Sequence, residues 1–153
     1  MTTLTGSLTI DGPLDQLADL AHEISRKFPG GFTVSVEADG IEVAGYTVDR
    51  AKALLRRLAS RQRDAIEVVV ECGGRAEGDV LRARFANEQG QIRGLTGPIS
   101  KHVKRLIAEG VLPEGTAAPT TTEFDPDNAS FQRAGAIKMD ADLVLVFREA
   151  LKP

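Results

Sequence analysis

The stretch Gly97-Pro98-Ile99-Ser100-Lys101-His102-Val103-Lys104-Arg105-Leu106-Ile107-Ala108-Glu109-Gly110 constrains the fold more than any other part of the chain. Proline suits the first turn of a helix, where its missing N–H costs nothing, and a glycine just past the last turn ends one. At helical spacing Ile99, Val103, Leu106 and Ile107 share one side, while Lys101, Lys104, Arg105 and Ala108 lie opposite, with Ser100 and His102 at the flanks. Such a helix needs a core beneath it and leaves its cations in water. The rest of the chain must supply that core.

Charge is segregated. Residues 1–49 hold two basic and eight acidic residues (net −6), residues 50–105 thirteen and six (net +7), and residues 106–153 four and eight (net −4), which together make the chain's −3. A basic block inside an acidic chain points to a local polyanion-binding face, whereas an evenly spread −3 would argue against one.

Elsewhere the signals are those of a small α+β protein. Leu4 to Ile10 alternates as a strand does, and Asp11-Gly12 ends it. From Pro13 to Phe28, Leu14, Leu17, Ala18, Leu20, Ala21, Ile24 and Phe28 form one helical stripe, stopped by Pro29-Gly30-Gly31. Phe32–Glu37 and Glu42–Tyr46 read as strands around an Asp39-Gly40 hairpin turn, pairing Val36 with Val43 and Ala38 with Ile41. Residues 1–48 are therefore expected to form a β-α-β-β module, suited to dimerisation or partner binding, and residues 49–153 a second domain.

In that second domain Asp49 is expected to cap a helix from Arg50 to Ala59, and Ser60 another to Glu71. The run Ile66–Val70 is β-branched and suits a strand, but the polar start at Ser60 and the exit at Gly73-Gly74 favour helix. Gly78–Asn87 suits a short helix with Leu81 and Phe85 inward, and Cys72 is expected to be a small core residue. A short strand is expected from Val111, then a turn at Asp125-Pro126-Asp127-Asn128, a returning strand from Arg133 to Met139, and a last helix, Ala141–Leu151, capped by Asp140.

Two segments resemble the winged helix-turn-helix proteins, a superfamily that includes the multiple-antibiotic-resistance type regulators. Ala59-Ser60-Arg61-Gln62-Arg63-Asp64-Ala65-Ile66 is similar to the start of their first bracing helix, and Leu95 through Leu112 to their recognition helix and its exit. The resemblance covers residues 59–139. It implies a DNA-binding transcriptional regulator whose third helix enters the major groove of double-stranded DNA, acting as a homodimer on paired half-sites. It places Ser100, Lys101, Lys104 and Arg105 at base and phosphate contacts, with Thr96 at the start of the same helix. Arg82, Arg84 and Arg93 are candidate phosphate grips.

Other classes have less to build on. Two histidines and a single cysteine offer no metal set, disulfide or nucleophile–base pair, so neither catalysis nor a cofactor is expected. No apolar run approaches the ~20 residues of a membrane span. Met1-Thr2-Thr3-Leu4 has no signal-peptide character, and a cytoplasmic location is expected. The acidic ends and the acidic turn at Asp125 suit an alternative reading, a winged-helix-shaped module that binds protein instead of DNA.

Overall fold

The structure, a computed structural model, describes residues 14–27, 40–85, 92, 94–127 and 134–153. Contacts divide the chain into two units, Met1–Glu37 and Ala38–Pro153. In the first, the described element is helix α1, Leu14–Lys27, on which Leu17, Ala21 and Ile24 are half-buried and Asp19, His22, Glu23 and Lys27 are exposed; Leu20, expected on the apolar stripe, is exposed as well. The strands expected at 4–10 and 32–37, and the hairpin partners of Val43 and Ile41, lie outside the described residues.

The second unit mixes helices with a small antiparallel sheet. It runs α2 (Val48–Arg57), α3 (Ser60–Glu71), β1 (Arg75–Glu77), α4 (Gly78–Phe85), α5 (Gly97–Ala108), β2 (Thr121–Phe124), β3 (Ala134–Lys138) and α6 (Ala141–Leu151). The sheet order is β1-β3-β2, with β3 central and both pairings antiparallel. Ala76 faces Ile137, which faces Thr122, and this row turns inward, with Ala76 and Ile137 almost fully buried. Helices pack against this sheet and one another: α4 on β1 and β3, α3 on β1, α6 on α2 and α3, and α5 on α2. Leu54, Ile66, Leu81, Ile99, Leu106 and Phe147, one or more from each helix, meet in a single core.

Several local expectations are corrected. Glu42–Tyr46 is not a strand: Val43 and Tyr46 exchange both backbone hydrogen bonds at 2.8 Å across a tight turn at Ala44-Gly45. Both turn residues have positive φ, 49° and 86°, the requirement of the hairpin turn whose twist matches its flanks. A Cβ at Gly45 would also lie 2.4 Å from Thr116 Oγ1, so the turn sits directly against the 113–118 loop. Tyr46 fixes it there, its hydroxyl donating to the Ala117 carbonyl at 2.8 Å and its ring meeting Phe147 edge-on at 5.4 Å. Burial pushes the Tyr46 phenol well above its ordinary pKa.

The cap of α2 is Thr47, not Asp49. Thr47 has the extended backbone of an N-cap and its Oγ1 accepts from Arg50 N at 3.3 Å, which leaves Asp49 in the first turn. Ala59 takes the cap position of α3, its carbonyl accepting from Gln62 and Arg63, so Ser60 is already helical. Asp140 does stand at the cap position of α6, but its side chain makes no cap bond.

The Ile66–Val70 run is helical, with Ile66, Val68, Val69 and Val70 buried. Cys72, expected in the core, is exposed, because it follows the helix on its outward side beside exposed Glu71. Gly73 and Gly74, both at positive φ, then reverse the chain, and Gly74 donates to Val69 O at 2.8 Å. This sharp exit launches β1, a strand that the sequence pattern did not indicate. The strand expected at Val111 is instead a loop with Leu112 buried, and the pairing strand begins at Thr121.

Candidate nucleic-acid interface

Helix α5 runs as its pattern dictates, with Pro98 in the first turn and Ile99, Val103 and Leu106 buried. Ser100, Lys101, Lys104, Arg105 and Ala108 are exposed, and His102 and Ile107 are half-buried at the margins. Among the described residues Lys101, Lys104 and Arg105 enter no ion pair or hydrogen bond. Three cations on one solvent-facing side therefore keep their full charge toward any incoming anion.

The helix is pinned at both ends by contacts that join residues far apart in sequence. At the start, Thr96 stands in the cap position without capping; its Oγ1 lies 3.0 Å from Thr122 Oγ1 on β2. Thr96 is thus half-buried and engaged with the sheet. Just before it, the Gln62 side chain of α3 donates to Gly94 O at 3.2 Å. At the far end, Glu109 is gripped by Arg57, the last residue of α2, through Nη2–Oε2 at 2.8 Å and Nη1–Oε1 at 3.4 Å.

The remaining candidates separate. Arg82 points into the fold, donating to Ala134 O at 3.1 Å and to Asp79 at 2.7 Å, and so ties α4 to β3. Arg84 is exposed and lines an open cleft of about 340 Å³ with Ser60, Arg61, Asp64 and Phe85. Arg61 spans this cleft's wall, donating to Phe85 O at 2.8 Å. Arg93 lies outside the described residues, as does most of the connection between α4 and α5.

On the sheet's outer face, by contrast, cations and carboxylates are paired and balanced. Register sets Arg75 opposite Lys138, and Glu77 and Glu123 on either side of Ala136. Arg75 bonds Glu77 at 2.5 Å and Glu123 at 3.1 Å, and Lys138 also pairs with Glu123. The Arg75 hydrogen bond, then that of Lys138, holds the Glu123 carboxyl down at about 2. Hydrogen bonds to Glu123 and then to Glu77 raise the Arg75 guanidinium above its usual range. Beyond β2 the chain adds acid: Asp127 N donates to Asp125 Oδ1 at 3.0 Å in a side-chain-stabilised turn.

The pairings of Arg57, Thr122 and Gln62 had no signal in the sequence, because each joins segments 26 to 52 positions apart. Among the described residues no group of three or more His, Cys, Asp or Glu side chains is placed to hold a metal ion, and no helix is long and apolar enough to cross a membrane. No family model, curated protein or solved structure matches the chain.

Proposed function

We propose that residues 59–139 are a winged helix-turn-helix domain and that the protein is a non-catalytic DNA-binding regulator, with α5 entering the major groove. The order helix, strand, helix, helix, strand, strand, with the last strand central in the sheet, supports the shape. The observation that carries the function is the exposed triad Lys101, Lys104 and Arg105, unpaired among the described residues, on a helix whose other side is anchored in the core. A major groove admits a helix, and three free cations on its outer side meet phosphates and base edges.

Arg84, exposed on α4, contributes a phosphate contact, while Arg82, already engaged, serves the fold. The β2–β3 hairpin adds no net cation, so affinity rests on α5. Paired half-sites read by a homodimer compensate for that. The apolar side of α6 is spent in the core, through Leu143, Val144, Val146 and Phe147, so the second protomer docks elsewhere.

The test is a titration of the full chain against random-sequence duplex at several salt concentrations. The expected result is binding at micromolar protein or below, weakening linearly on a log–log plot as salt rises. Absence of binding at low salt would overturn the reading and favour the protein-interaction alternative, to which the acidic turn at Asp125 and Asp127 is better suited.

A further inference from the structure

We propose that Arg57 is a positioning residue for the cationic face of α5: by gripping Glu109 it keeps that carboxylate off Arg105 and leaves Arg105 free for a phosphate. The inference rests on the DNA-binding reading above.

Glu109 follows Arg105 by four residues, and it retains helical backbone (φ −80°, ψ −4°) with its N–H still bonded to Arg105 O at 2.9 Å. Side chains four apart on a helix lie on one face, where opposite charges pair. Left alone, the Glu109 carboxylate would have Arg105 as the nearest cation on its own helix. A carboxylate at a helix C-terminus is also disfavoured by the helix dipole, so it seeks a counter-charge.

The structure provides another cation from a different element. The Arg57 guanidinium meets Glu109 with two nitrogens on two oxygens, the planar two-point contact that an ammonium cannot reproduce. Because α2 packs on α5, Arg57 at the end of α2 reaches Glu109 from the side of the helix. Arg105 remains exposed and without an ion pair among the described residues. Arg57 and Glu109 thus cancel each other, and the cationic face begins where they end.

The test is a double-mutant cycle on duplex binding by the full chain, below the unfolding temperature of every variant. Arg57→Ala should weaken binding about two- to fivefold, the range of an exposed ion pair forming in competition. Glu109→Gln alone should bind at least as well as the parent. The pair Arg57→Ala with Glu109→Gln should recover parental affinity and parental salt dependence, and Arg57→Lys should fall between the parent and Arg57→Ala.

If Arg57 itself contacted phosphate, or only braced the fold, Glu109→Gln would not rescue Arg57→Ala, and that outcome overturns the inference. Lys101→Ala with Lys104→Ala, run alongside, separates the two levels. A parent that binds and is weakened by the lysine changes, with no rescue at Glu109, sinks the role of Arg57 alone. A parent that does not bind duplex sinks the DNA reading and this inference together.

Discussion

The outer face of α5 and the outer face of the sheet both present cations to solvent, yet they differ in what surrounds them. On the sheet, strand register sets Glu77 and Glu123 among Arg75 and Lys138, and the four charges cancel. At the end of α5 the acid Glu109 is taken by a residue of another helix, and among the described residues Lys101, Lys104 and Arg105 stay unpaired. The difference teaches that local net charge is a poor guide to where a polyanion can sit. The spacing of acids relative to cations, along a helix or across strands, decides it.

The strongest way to break this contrast is to remove what holds α5 in place. Ile99 is almost fully buried, and Ile99→Ala should cost about 2–5 kcal/mol of unfolding free energy in a denaturant titration. A loss well under 1 kcal/mol would mean that the buried side of α5 does not anchor the helix.

Next in size, Lys101→Ala with Lys104→Ala should leave stability nearly unchanged, reduce duplex affinity by roughly an order of magnitude, and lower the slope of log affinity against log salt by about 2. An unchanged slope would remove both lysines from any phosphate contact.

A smaller effect sharpens the other side of the comparison. Glu123→Gln releases Arg75 and Lys138 from their shared carboxylate, so duplex affinity should rise by a few-fold if the hairpin lies near the polyanion. No change would place that face away from it.

The smallest effect is in the pH dependence of stability. Glu123 is held down at about 2 against an ordinary 4.5, so its contribution is complete above about pH 4.5 and fades as pH falls toward 2. Thermal midpoints of the parent and of Glu123→Gln should therefore converge across that window. Parallel curves would show that the carboxylate gains nothing from its partners in the folded state.

What the sequence made legible follows from the range of the forces involved. Helices α3, α5 and α6 were readable because helical periodicity, Pro98, Gly73-Gly74 and Gly110 act within a turn or two of the chain. Their buried faces came with them: Ile99, Val103 and Leu106, and Leu143, Val144 and Phe147. The short strands were harder. β1 has three residues, too few for alternation to register, and β2 reads Thr-Thr-Glu-Phe, with little apolar character because it lies at the sheet's edge.

The candidate site divides the same way. Exposure of Lys101, Lys104 and Arg105 followed from periodicity alone. The engagement of Arg82 with Ala134 and of Thr96 with Thr122 did not, since each needs a partner brought near only by the finished fold. Cap choice at Thr47 over Asp49 turned on a two-residue shift in where the backbone becomes helical, to which both side chains are chemically suited.

The tight turn ahead of α2 bears on how this protein can be cut. A fragment starting at Val48 would retain every helix of the second unit, yet it would lack the Tyr46 ring and leave an open socket beside Phe147, with the Ala117 carbonyl stripped of its donor. A piece that keeps this interior closed must therefore begin at or before Val43, and a few residues with no regular secondary structure act as the plug.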